Sequence, residues 1–439
     1  MLESLGFRDH RKRLLANLQE DEAVLVFGSP TRRRNGDSDY RYRPSSDVFW
    51  LSGWEDPECA VFLRPGVEEP FVLFVQPRDP ERETWDGRRP GPEGAIERYG
   101  ADAAFTFGQL EAELPRLLQG VTTLHYQFAA DPDQDAVLMA SVNRAARAAR
   151  RKGFAVPQTF HVLEKVLHEL RLHKTEAELA VMREAAALTE KGHRAAMAFT
   201  RPGVYEYEVE AVLTQPWGRG GSTGVAYTPI VASGDNATIL HYNTNRETCE
   251  AGELILIDAG CEVSYYACDV TRTFPVNGRF TKAQRDVYEV VLAAQLASID
   301  ACRDGESFDE VHAQSVRTLT QGMVDLGLLE GGVDELIENG GYRKYYMHST
   351  SHWLGLDVHD VGAYSRDGGV RELAPGMVLT VEPGLYIPAD DETVPDAMRG
   401  IGIRIEDDVH VTDDDPEVLT GAIPKTVEDV EAACRVKSA

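Results

Sequence analysis

Apolar residues recur along the chain in two kinds of pattern. Before residue 172, the segments "EAVLVFGS" and "PFVLFVQP" are typical of buried strands, and "DQDAVLMASVNRAARAARRKG" has the period of a helix that ends at Gly153. Strands that alternate with helices predict an α/β unit. Between the two strands, "NGDSDYRYRPSSDVFWLSGWEDPE" is polar, aromatic and rich in turn residues. We expect a long irregular segment there, of the kind that often carries function.

The second half opens on a strong helix signal. In "KTEAELAVMREAAALTEKGHRAAMAF", Thr175 and Glu178 have the spacing of a capping box ahead of apolar residues at helical period. The same spacing recurs ahead of two further helices, at Thr281 with Gln284 and at Ser307 with Glu310. Around these helices lie strand-like runs such as "ELILIDAG", "MVLTVEPGLYI" and "IGIRIEDDVHVT". This order predicts an α+β domain over residues 173–439, after an α/β domain over residues 1–172.

Length and composition bound the class of protein. A chain of 439 residues is too long for one ordinary core, which agrees with two domains. It has no run of eighteen apolar residues, so we expect no membrane partner, and its first fifteen residues lack the apolar segment of a signal peptide. Six cysteines without a CxxC pair argue against a disulfide framework and against a cysteine zinc site. These features favour a cytoplasmic location.

Negative charge is concentrated in the second half. The formal net charge is −27, of which residues 1–172 carry −4 and the remainder −23. A nucleic-acid partner is not expected, because phosphates require a basic face. Most of these acidic residues are expected on a solvated surface.

Four carboxylates stand where solvent is not expected, next to strand-like runs. Asp258 closes "LILI", Asp269 precedes "VTRTF", Glu382 follows "MVLTV" and Glu406 follows "GIRI". Taken singly, each is explained as a turn or cap residue, and the next pair, Asp407–Asp408, is expected to be a solvated strand end. Imidazoles accompany them: His241 in "TILHYNTN", and His348, His352 and His359 in "MHSTSHWLGLDVHD". The spacing of His348 and His352 fits a zinc helix, but the flanking residues do not favour a helix and the glutamate of that motif is missing.

Taken together, these residues predict a metal centre. Four carboxylates that converged without a cation would repel one another, and several would have to stay protonated. Two divalent ions bring four positive charges to meet four negative ones. An oxygen-rich ligand set with one imidazole suits manganese better than a sulfur-loving metal. Two ions about 3.5–4 Å apart, bridged by carboxylates and a water, form a common hydrolytic arrangement.

The motif series resembles a known family. "LIDAGCEVSYYACDVTRTF", "HSTSHWLGLDVHD", "LTVEPGLYI" and "RGIGIRIEDDV" are similar to the metallopeptidases of the pita-bread fold, and among these to the Xaa-Pro aminopeptidases (aminopeptidase P). The similarity includes "DSDYRYRPSSDVFWLSGWEDPE", which resembles the N-terminal domain of that enzyme class. The resemblance implies an α/β N-terminal domain followed by an α+β pita-bread (creatinase/aminopeptidase-type) catalytic domain. It also implies hydrolysis of the peptide bond between an N-terminal residue and proline.

The resemblance assigns the ligands of two divalent metal ions, taken here to be Mn²⁺. By matching motif they fall on Asp258, Asp269, His352, Glu382 and Glu406. In the family, the equivalents of Asp269 and Glu406 bridge the metals. The equivalent of Asp258 holds one ion, and those of His352 and Glu382 complete the shell of the other.

Further residues are implied around the ligands. They are the histidines His241, His348 and His359, with Arg404, an arginine thought to steady the site, and Tyr386, a candidate substrate-binding or supporting residue. The family also implies a homo-oligomer, dimer or tetramer, in which a loop of one subunit reaches a neighbour's active site. Asp37 and Trp85 are the candidates for that contact.

A hydrolytic mechanism follows as a hypothesis. A metal-bridging hydroxide attacks the carbonyl carbon before proline, and His359 donates a hydrogen bond to the developing oxyanion. Glu382 carries the proton to the leaving group, and His241 contacts the substrate near the scissile bond.

Three alternatives stay open at this point. A prolidase has the same fold and metals but is restricted to Xaa-Pro dipeptides. A metal-free relative of creatinase type predicts lost ligands, whereas all five are present. A non-enzymatic binding module on the same scaffold would also tend to lose the metal site.

Overall fold

The computed structural model describes residues 5–366 and 368–435, which divide into two compact units between Arg171 and Leu172. The domain boundary predicted from the sequence is near residue 172. Each unit has its own sheets and its own apolar core.

The first unit contains a mixed six-stranded sheet with helices. Its helices are α1 Phe7–Ala16, α2 Ser46–Ser52, α3 Pro80–Asp86, α4 Gly91–Tyr99, α5 Leu110–Leu117, α6 Pro132–Lys152 and α7 His168–Leu172, whose last residue lies beyond the division. Its strands are β1 Glu22–Phe27, β2 Arg33–Asn35, β3 Ser38–Asp39, β4 Ala60–Leu63, β5 Phe71–Val75, β6 Ala103–Thr106, β7 Thr123–His125 and β8 Thr159–His161. The large sheet has the order β6-β5-β4-β1-β7-β8, and β2 pairs with β3 in a hairpin. The predicted α/β organisation is confirmed, and α6 ends at Gly153 as the pattern indicated.

One expectation about this unit is wrong. The segment expected to be irregular contains strand β3 and helix α2. Val48, Phe49, Trp50 and Leu51 are almost completely buried. Burial of this apolar run stabilises a short helix that the surrounding turn residues concealed.

The second unit combines long helices with several small sheets. Its helices are α8 Glu176–Phe199, α9 Glu206–Gly220, α10 Lys282–Asp300, α11 Phe308–Asp325, α12 Val333–Glu338 and α13 Val427–Arg435. Its longer strands are β10 Ile230–Ser233, β11 Leu254–Asp258, β12 Cys261–Val263, β14 Thr271–Pro275, β17 Val378–Val381, β18 Gly384–Ile387, β19 Ile401–Arg404 and β20 Asp407–His410. Two-residue strands complete it at β9 Gly224–Val225, β13 Tyr266–Ala267, β15 Ser365–Arg366, β16 Gly369–Val370 and β21 Glu417–Val418. The predicted α+β organisation is confirmed.

Short 3₁₀ helices connect some of these elements. They span Phe107–Gln109, Leu163–Lys165, Gly234–Thr238, Gly341–Lys344 and Asp396–Met398. In the described part of the chain, no helix combines the length and the apolar character needed to cross a membrane.

Helix starts in the second unit follow the capping signals, with one exception. The boxes at Thr175 with Glu178 and at Thr281 with Gln284 form as expected. Ser307 caps α11 by accepting a hydrogen bond from the Asp309 backbone N–H, but Glu310 does not complete a box. Instead, the Glu310 carboxylate accepts a hydrogen bond from Gln314, one turn further along the helix.

Strand β11 shows how the core orients the acidic residues. Ile255 and Ile257 pack into the cluster that also contains Trp217 of α9, whereas Leu256 packs into a separate cluster on the opposite face. Because side chains alternate along a strand, Asp258 lies on the face of Leu256, away from that helix. The carboxylate thus points away from the cluster that contains Trp217.

Candidate metal centre

Antiparallel pairing brings the first two carboxylates together. Strand β11 pairs with β14 in the register Asp258 to Thr271, so Asp269 lies two residues before the partner of Asp258. The hydroxyl of Tyr227 donates to Asp258 Oδ1 at 2.6 Å and also contacts Asp269 Oδ1. Tyr227 therefore joins the two carboxylates at one end of this strand pair.

A second antiparallel pair supplies Glu382 and Glu406. Strand β17 pairs with β20 in the register Val381 to Asp407, which places Glu382 and Glu406 next to the same end of the pair. The backbone N–H of Glu406 donates to Thr271 O at 3.1 Å, and the Thr271 hydroxyl donates to Glu406 Oε2 at 2.6 Å. These bonds attach the second pair of carboxylates to the first.

His352 approaches the carboxylates from the segment before β17. Its backbone carbonyl accepts from Thr380 N–H at 3.0 Å, which aligns it beside that strand. Its Nδ1 lies 3.1 Å from Trp353 O, so in the neutral ring Nδ1 is the donor and Nε2 carries the lone pair. Nε2 lies 3.5 Å from both Asp269 Oδ2 and Glu382 Oε1. A metal-binding nitrogen is commonly oriented in this way, by a hydrogen bond at the other ring nitrogen.

The ligand atoms converge on one point. One atom each from Asp269, His352 and Glu406 lies within 4.8 Å of the other two, a spacing that can hold a metal ion. Asp258 and Glu382 line the same small cavity as these three residues. The five residues assigned by resemblance therefore lie together. The segment that contains His348 and His352 is not helical, as the sequence indicated.

The electrostatics of the cluster fit a divalent metal site. Burial, reinforced by the neighbouring carboxylates, raises the pKa of Glu382 to about 8 and the pKa of Glu406 well above its usual range. Although burial alone would lower it, the carboxylates of Asp269 and Glu382 raise the pKa of His352 to about 9. Oxygen donors packed this closely resist ionisation unless a cation joins them, and divalent ions are the cations that such a donor set binds.

Arg404 partly offsets this negative charge. Its Nη2 donates to Asp258 Oδ2 at 2.6 Å, its Nε to the Thr271 hydroxyl at 3.0 Å and its Nη1 to the Tyr386 hydroxyl at 3.0 Å. One guanidinium supplies a single positive charge against four carboxylates. Arg404 thus orients Asp258 without replacing a metal.

Three histidines face the open side of the cluster. His241, His348 and His359 line a cavity of about 520 Å³ together with Asp258, His352 and Glu382. The His359 ring lies edge-on to His352, with ring centres 4.4 Å apart, and His348 Nε2 lies 2.8 Å from the Tyr386 hydroxyl. Burial and the charge of Arg404 lower the pKa of His348 to about 4, and burial with the neighbouring His352 lowers the pKa of His359. The rings of His348 and His359 are therefore neutral near pH 7, and each has one N–H donor.

Two of the suggested residues lie in the first unit. Asp37 is in the turn between β2 and β3 and is exposed, and Trp85 of α3 is 85% exposed. Their exposure leaves both side chains accessible. Contact with a neighbouring subunit stays a prediction for both.

One sequence interpretation of the site is wrong. Asp407 and Asp408 are buried and are not a solvated strand end. Asp407 accepts hydrogen bonds from Arg272, Gln295, Thr420 and Lys425. Among these donors, Arg272 and Lys425 lower the pKa of Asp407 against the effect of burial. Asp408 accepts from the backbone N–H of Asp269 at 3.1 Å.

Sequence reasoning missed two residues that join the carboxylates. Tyr227 follows an unremarkable strand end, and nothing in "GVAYTP" suggested a hydroxyl between two acids. Thr271 lies within the quoted motif "DVTRTF", two residues after Asp269, so alternation along the strand could have placed it on the same face.

Comparisons with known proteins identify the family of this chain. A model of metallopeptidase family M24 matches residues 180–413, and a model of the aminopeptidase P N-terminal domain matches residues 7–125. The chain is 42% identical to the Xaa-Pro aminopeptidase of Escherichia coli K12, over 97% of this chain and 96% of that protein. The structure of Pseudomonas aeruginosa aminopeptidase PepP matches with a TM-score of 0.95 and 46% identity, over 98% of each chain. A zinc-substituted E. coli aminopeptidase P in complex with product matches with a TM-score of 0.93 and 42% identity, again over 98% of each chain.

The chain belongs to metallopeptidase family M24, in the aminopeptidase P group of that family. It is a metal-dependent aminopeptidase that acts on peptides. The resemblance read from the sequence motifs and the fold class that it implied are confirmed.

Proposed function

We propose that the enzyme hydrolyses the N-terminal Xaa-Pro bond of peptides, using two divalent metal ions at Asp258, Asp269, His352, Glu382 and Glu406. The observation that carries the proposal is the convergence of four carboxylates and the His352 lone pair beside a histidine-lined cavity. When bound, two such ions, which we take to be Mn²⁺, supply a bridging hydroxide nucleophile near neutral pH and polarise the scissile carbonyl.

The side chains of the cavity have separate tasks in this proposal. His359 donates a hydrogen bond to the oxygen that becomes negative as the carbonyl is attacked, since its neutral ring retains an N–H. Glu382 faces the cavity and carries a proton to the leaving proline nitrogen. His241 contacts the substrate near the scissile bond.

The remaining polar groups hold these residues in place. The Asp258 carboxylate is fixed by Arg404 and Tyr227, and the Tyr386 hydroxyl joins Arg404 to His348. Residues that act on a reacting group need such supports, because small displacements cost large factors in rate.

The Xaa-Pro bond explains why a specialised enzyme is needed. Its amide nitrogen has no hydrogen, and the pyrrolidine ring restricts the backbone. A peptidase that recognises the scissile N–H cannot process it. The relatives that carry the name Xaa-Pro aminopeptidase support this specificity for the chain.

We extend the proposal to assembly and location. The resemblance supports a homo-oligomer, dimer or tetramer, in which Asp37 and Trp85 reach a neighbouring subunit. All six cysteines are free, which supports a reducing, cytoplasmic setting.

The Asp269→Ala variant tests the proposed site. We expect loss of bound metal and loss of cleavage of an Xaa-Pro-Yaa tripeptide by at least about 1,000-fold, because a shared carboxylate ligand is removed. Metal per chain is measured by elemental analysis, and cleavage by release of the first residue. The matched control is Asp413→Ala, which removes an exposed carboxylate and should leave both quantities unchanged.

Two results would contradict the proposal. An Asp269→Ala protein that is fully metallated and active would remove Asp269 from the site. If the wild type hydrolyses the dipeptide Gly-Pro but does not hydrolyse longer Xaa-Pro peptides, the prolidase alternative is favoured.

A further inference from the structure

A buried carboxylate outside the metal centre has an unusual set of partners. Glu206, in the first turn of α9, is completely buried. Its Oε1 accepts from the backbone N–H of Ser233 at 2.8 Å, from the Ser233 hydroxyl at 2.8 Å and from Asn236 Nδ2 at 3.1 Å. Its Oε2 accepts from the Tyr242 hydroxyl at 2.8 Å and from the backbone N–H of Glu247 at 3.0 Å. All five donors are neutral.

The donors belong to one stretch of chain, residues 233–247, here called the 233–247 segment. Ser233 begins it at the end of β10, Asn236 lies in its 3₁₀ helix, Tyr242 lies near its middle and Glu247 ends it. One carboxylate therefore ties the start, the middle and the end of the segment to helix α9. Because five hydrogen bonds from the segment converge on this one side chain, it is an effective anchor.

The segment carries His241 to the cavity. His241 directly precedes Tyr242, lines the cavity of about 520 Å³ and also lines the smaller cavity that contains the metal-ligand candidates. The 3₁₀ helix of the segment packs tightly against β19, since a Cβ added at Gly402 would lie 2.2 Å from Ala237 O. The segment thus lies between Glu206 on one side and the strand that bears Arg404 on the other.

The protonation of Tyr242 agrees with a donor role. Burial and the hydrogen bond to Glu206 raise the pKa of Tyr242 to about 12, so its hydroxyl carries a proton at neutral pH. Donation from Tyr242 fixes the residue next to His241 and limits the positions that the imidazole can adopt.

We propose that Glu206 is a positioning residue that holds His241 in its place at the cavity through the 233–247 segment. The inference rests on the proposed function only in that His241 contacts substrate. The anchoring of the segment is a structural property that can be measured without turnover.

Glu206→Gln tests the anchor. Each carboxylate oxygen accepts a backbone N–H, that of Ser233 at Oε1 and that of Glu247 at Oε2. An amide has one acceptor oxygen, so either orientation of the glutamine sets its NH₂ group against one backbone N–H. An unsatisfied buried donor is costly, and the segment is expected to loosen.

The first readout is amide hydrogen exchange followed by mass spectrometry. Peptides that cover residues 233–247 should exchange at least about tenfold faster in Glu206→Gln, as expected for the loss of buried hydrogen bonds. Peptides that cover residues 254–275 should be unchanged. Glu208→Gln is the matched control, because Glu208 lies on the same turn. Its carboxylate accepts a hydrogen bond from the Tyr205 backbone N–H, and a glutamine oxygen can accept the same bond. Unchanged exchange of the 233–247 segment in Glu206→Gln would overturn the proposal whatever the activity.

The second readout is kcat/KM for an Xaa-Pro-Yaa peptide, with metal per chain measured alongside. We expect a fall of at least about tenfold in Glu206→Gln with metal content unchanged, because His241 is displaced. In a His241→Ala background the same substitution should change kcat/KM by less than about twofold, since the group that it positions is absent. Equal effects in both backgrounds would overturn the positioning role, and an inactive wild type would overturn the proposed function alone.

Tyr242→Phe keeps the proposal testable if Glu206→Gln does not fold. It removes one donor to Glu206 Oε2 from a partly exposed side chain, and the other four remain. We expect faster amide exchange near His241 and a fall in kcat/KM that is smaller than that of Glu206→Gln. In the His241→Ala background, Tyr242→Phe should not lower kcat/KM further. Wild-type exchange and activity would contradict the anchor.

Discussion

At the residue scale, neighbouring acidic side chains have opposite fates. Glu406 joins the carboxylate cluster, and burial with like charges raises its pKa. Asp407, the next residue, is met by Arg272 and Lys425, which lower its pKa against burial. Adjacent strand residues point to opposite faces, so one faces the metal centre and the other a cationic pocket. Two adjacent acidic residues thus have different surroundings: Glu406 is a metal-ligand candidate, and Asp407 is paired with basic side chains.

His193 gives the first prediction, a pH dependence of stability. This fully buried histidine of α8 has its Nε2 2.9 Å from Ala259 O, and its Nδ1 finds no hydrogen-bond partner among the described residues. Burial lowers the pKa of His193 to about 4, from about 6.5 in an unfolded chain. Between these values the unfolded state binds the extra proton, so stability is present above pH 6.5 and is lost as the pH falls toward 4.

The expected loss can be isolated with one variant. Between pH 7 and pH 5, His193 should lower the free energy of unfolding by about 2 kcal/mol. His193→Gln keeps a donor for Ala259 O but does not titrate, so its loss over this interval should be smaller by that amount. Urea unfolding at both pH values, with saturating manganese, gives the comparison. Identical pH dependence of the two proteins would refute this reading of His193.

At the element scale, the site depends on close approach of strands. The β11–β14 pair supplies Asp258 and Asp269, and the β17–β20 pair supplies the neighbourhoods of Glu382 and Glu406. Each strand pair alone gives two acids at one end. The two hydrogen bonds between Glu406 and Thr271 then bring the ends of the two strand pairs together.

Gly260 gives the prediction at this scale. A Cβ at position 260 would lie 1.7 Å from Cys268 O, a backbone atom that cannot rotate away. Gly260→Ala should push apart the chain segments that follow Asp258 and precede Asp269. We expect a loss of about 1–3 kcal/mol in stability, together with weaker metal binding.

Thermal unfolding and metal titration measure these two effects. Gly218→Ala is the matched control, because a Cβ there meets nothing within 4 Å and alanine is a better helix former than glycine. It should be neutral or slightly stabilising. A Gly260→Ala protein with wild-type stability and metal affinity would contradict the steric argument.

At the scale of the whole molecule, negative charge and metal binding are linked. The formal net charge is −27, most of it in residues 173–439, and this half includes the four carboxylates of the metal-ligand candidates, which are buried or partly buried. An ion that binds the folded state and not the unfolded chain stabilises the fold by mass action. The metal content should therefore govern unfolding as well as catalysis.

Metal removal tests this link. Stripping with a chelator should inactivate the enzyme and lower its unfolding temperature, and manganese at 100 times its Kd should restore about 2.7 kcal/mol. Calcium should restore less, because it prefers more oxygen ligands at longer distances. Differential scanning calorimetry measures the shift, and Asp269→Ala should respond less to added manganese. Equal rescue by calcium would speak against a polarising pair of hard, small ions.

The sequence by itself determined the class of fold, the family and the set of candidate ligands. Hydrophobic period and capping boxes located helices such as α8 and α10, and strand-end carboxylates in a fixed order carried the resemblance. These signals are local, because a helix start or a strand end is encoded by residues a few positions apart.

Only the tertiary structure decided which polar residues meet. The burial of Asp407, the hydroxyl of Tyr227 between two acids and the five donors on Glu206 all join residues distant in sequence. Helix α2 also formed inside a turn-rich stretch, because its apolar side chains found a core. Such contacts depend on strand pairing and packing across the fold, which no local pattern specifies.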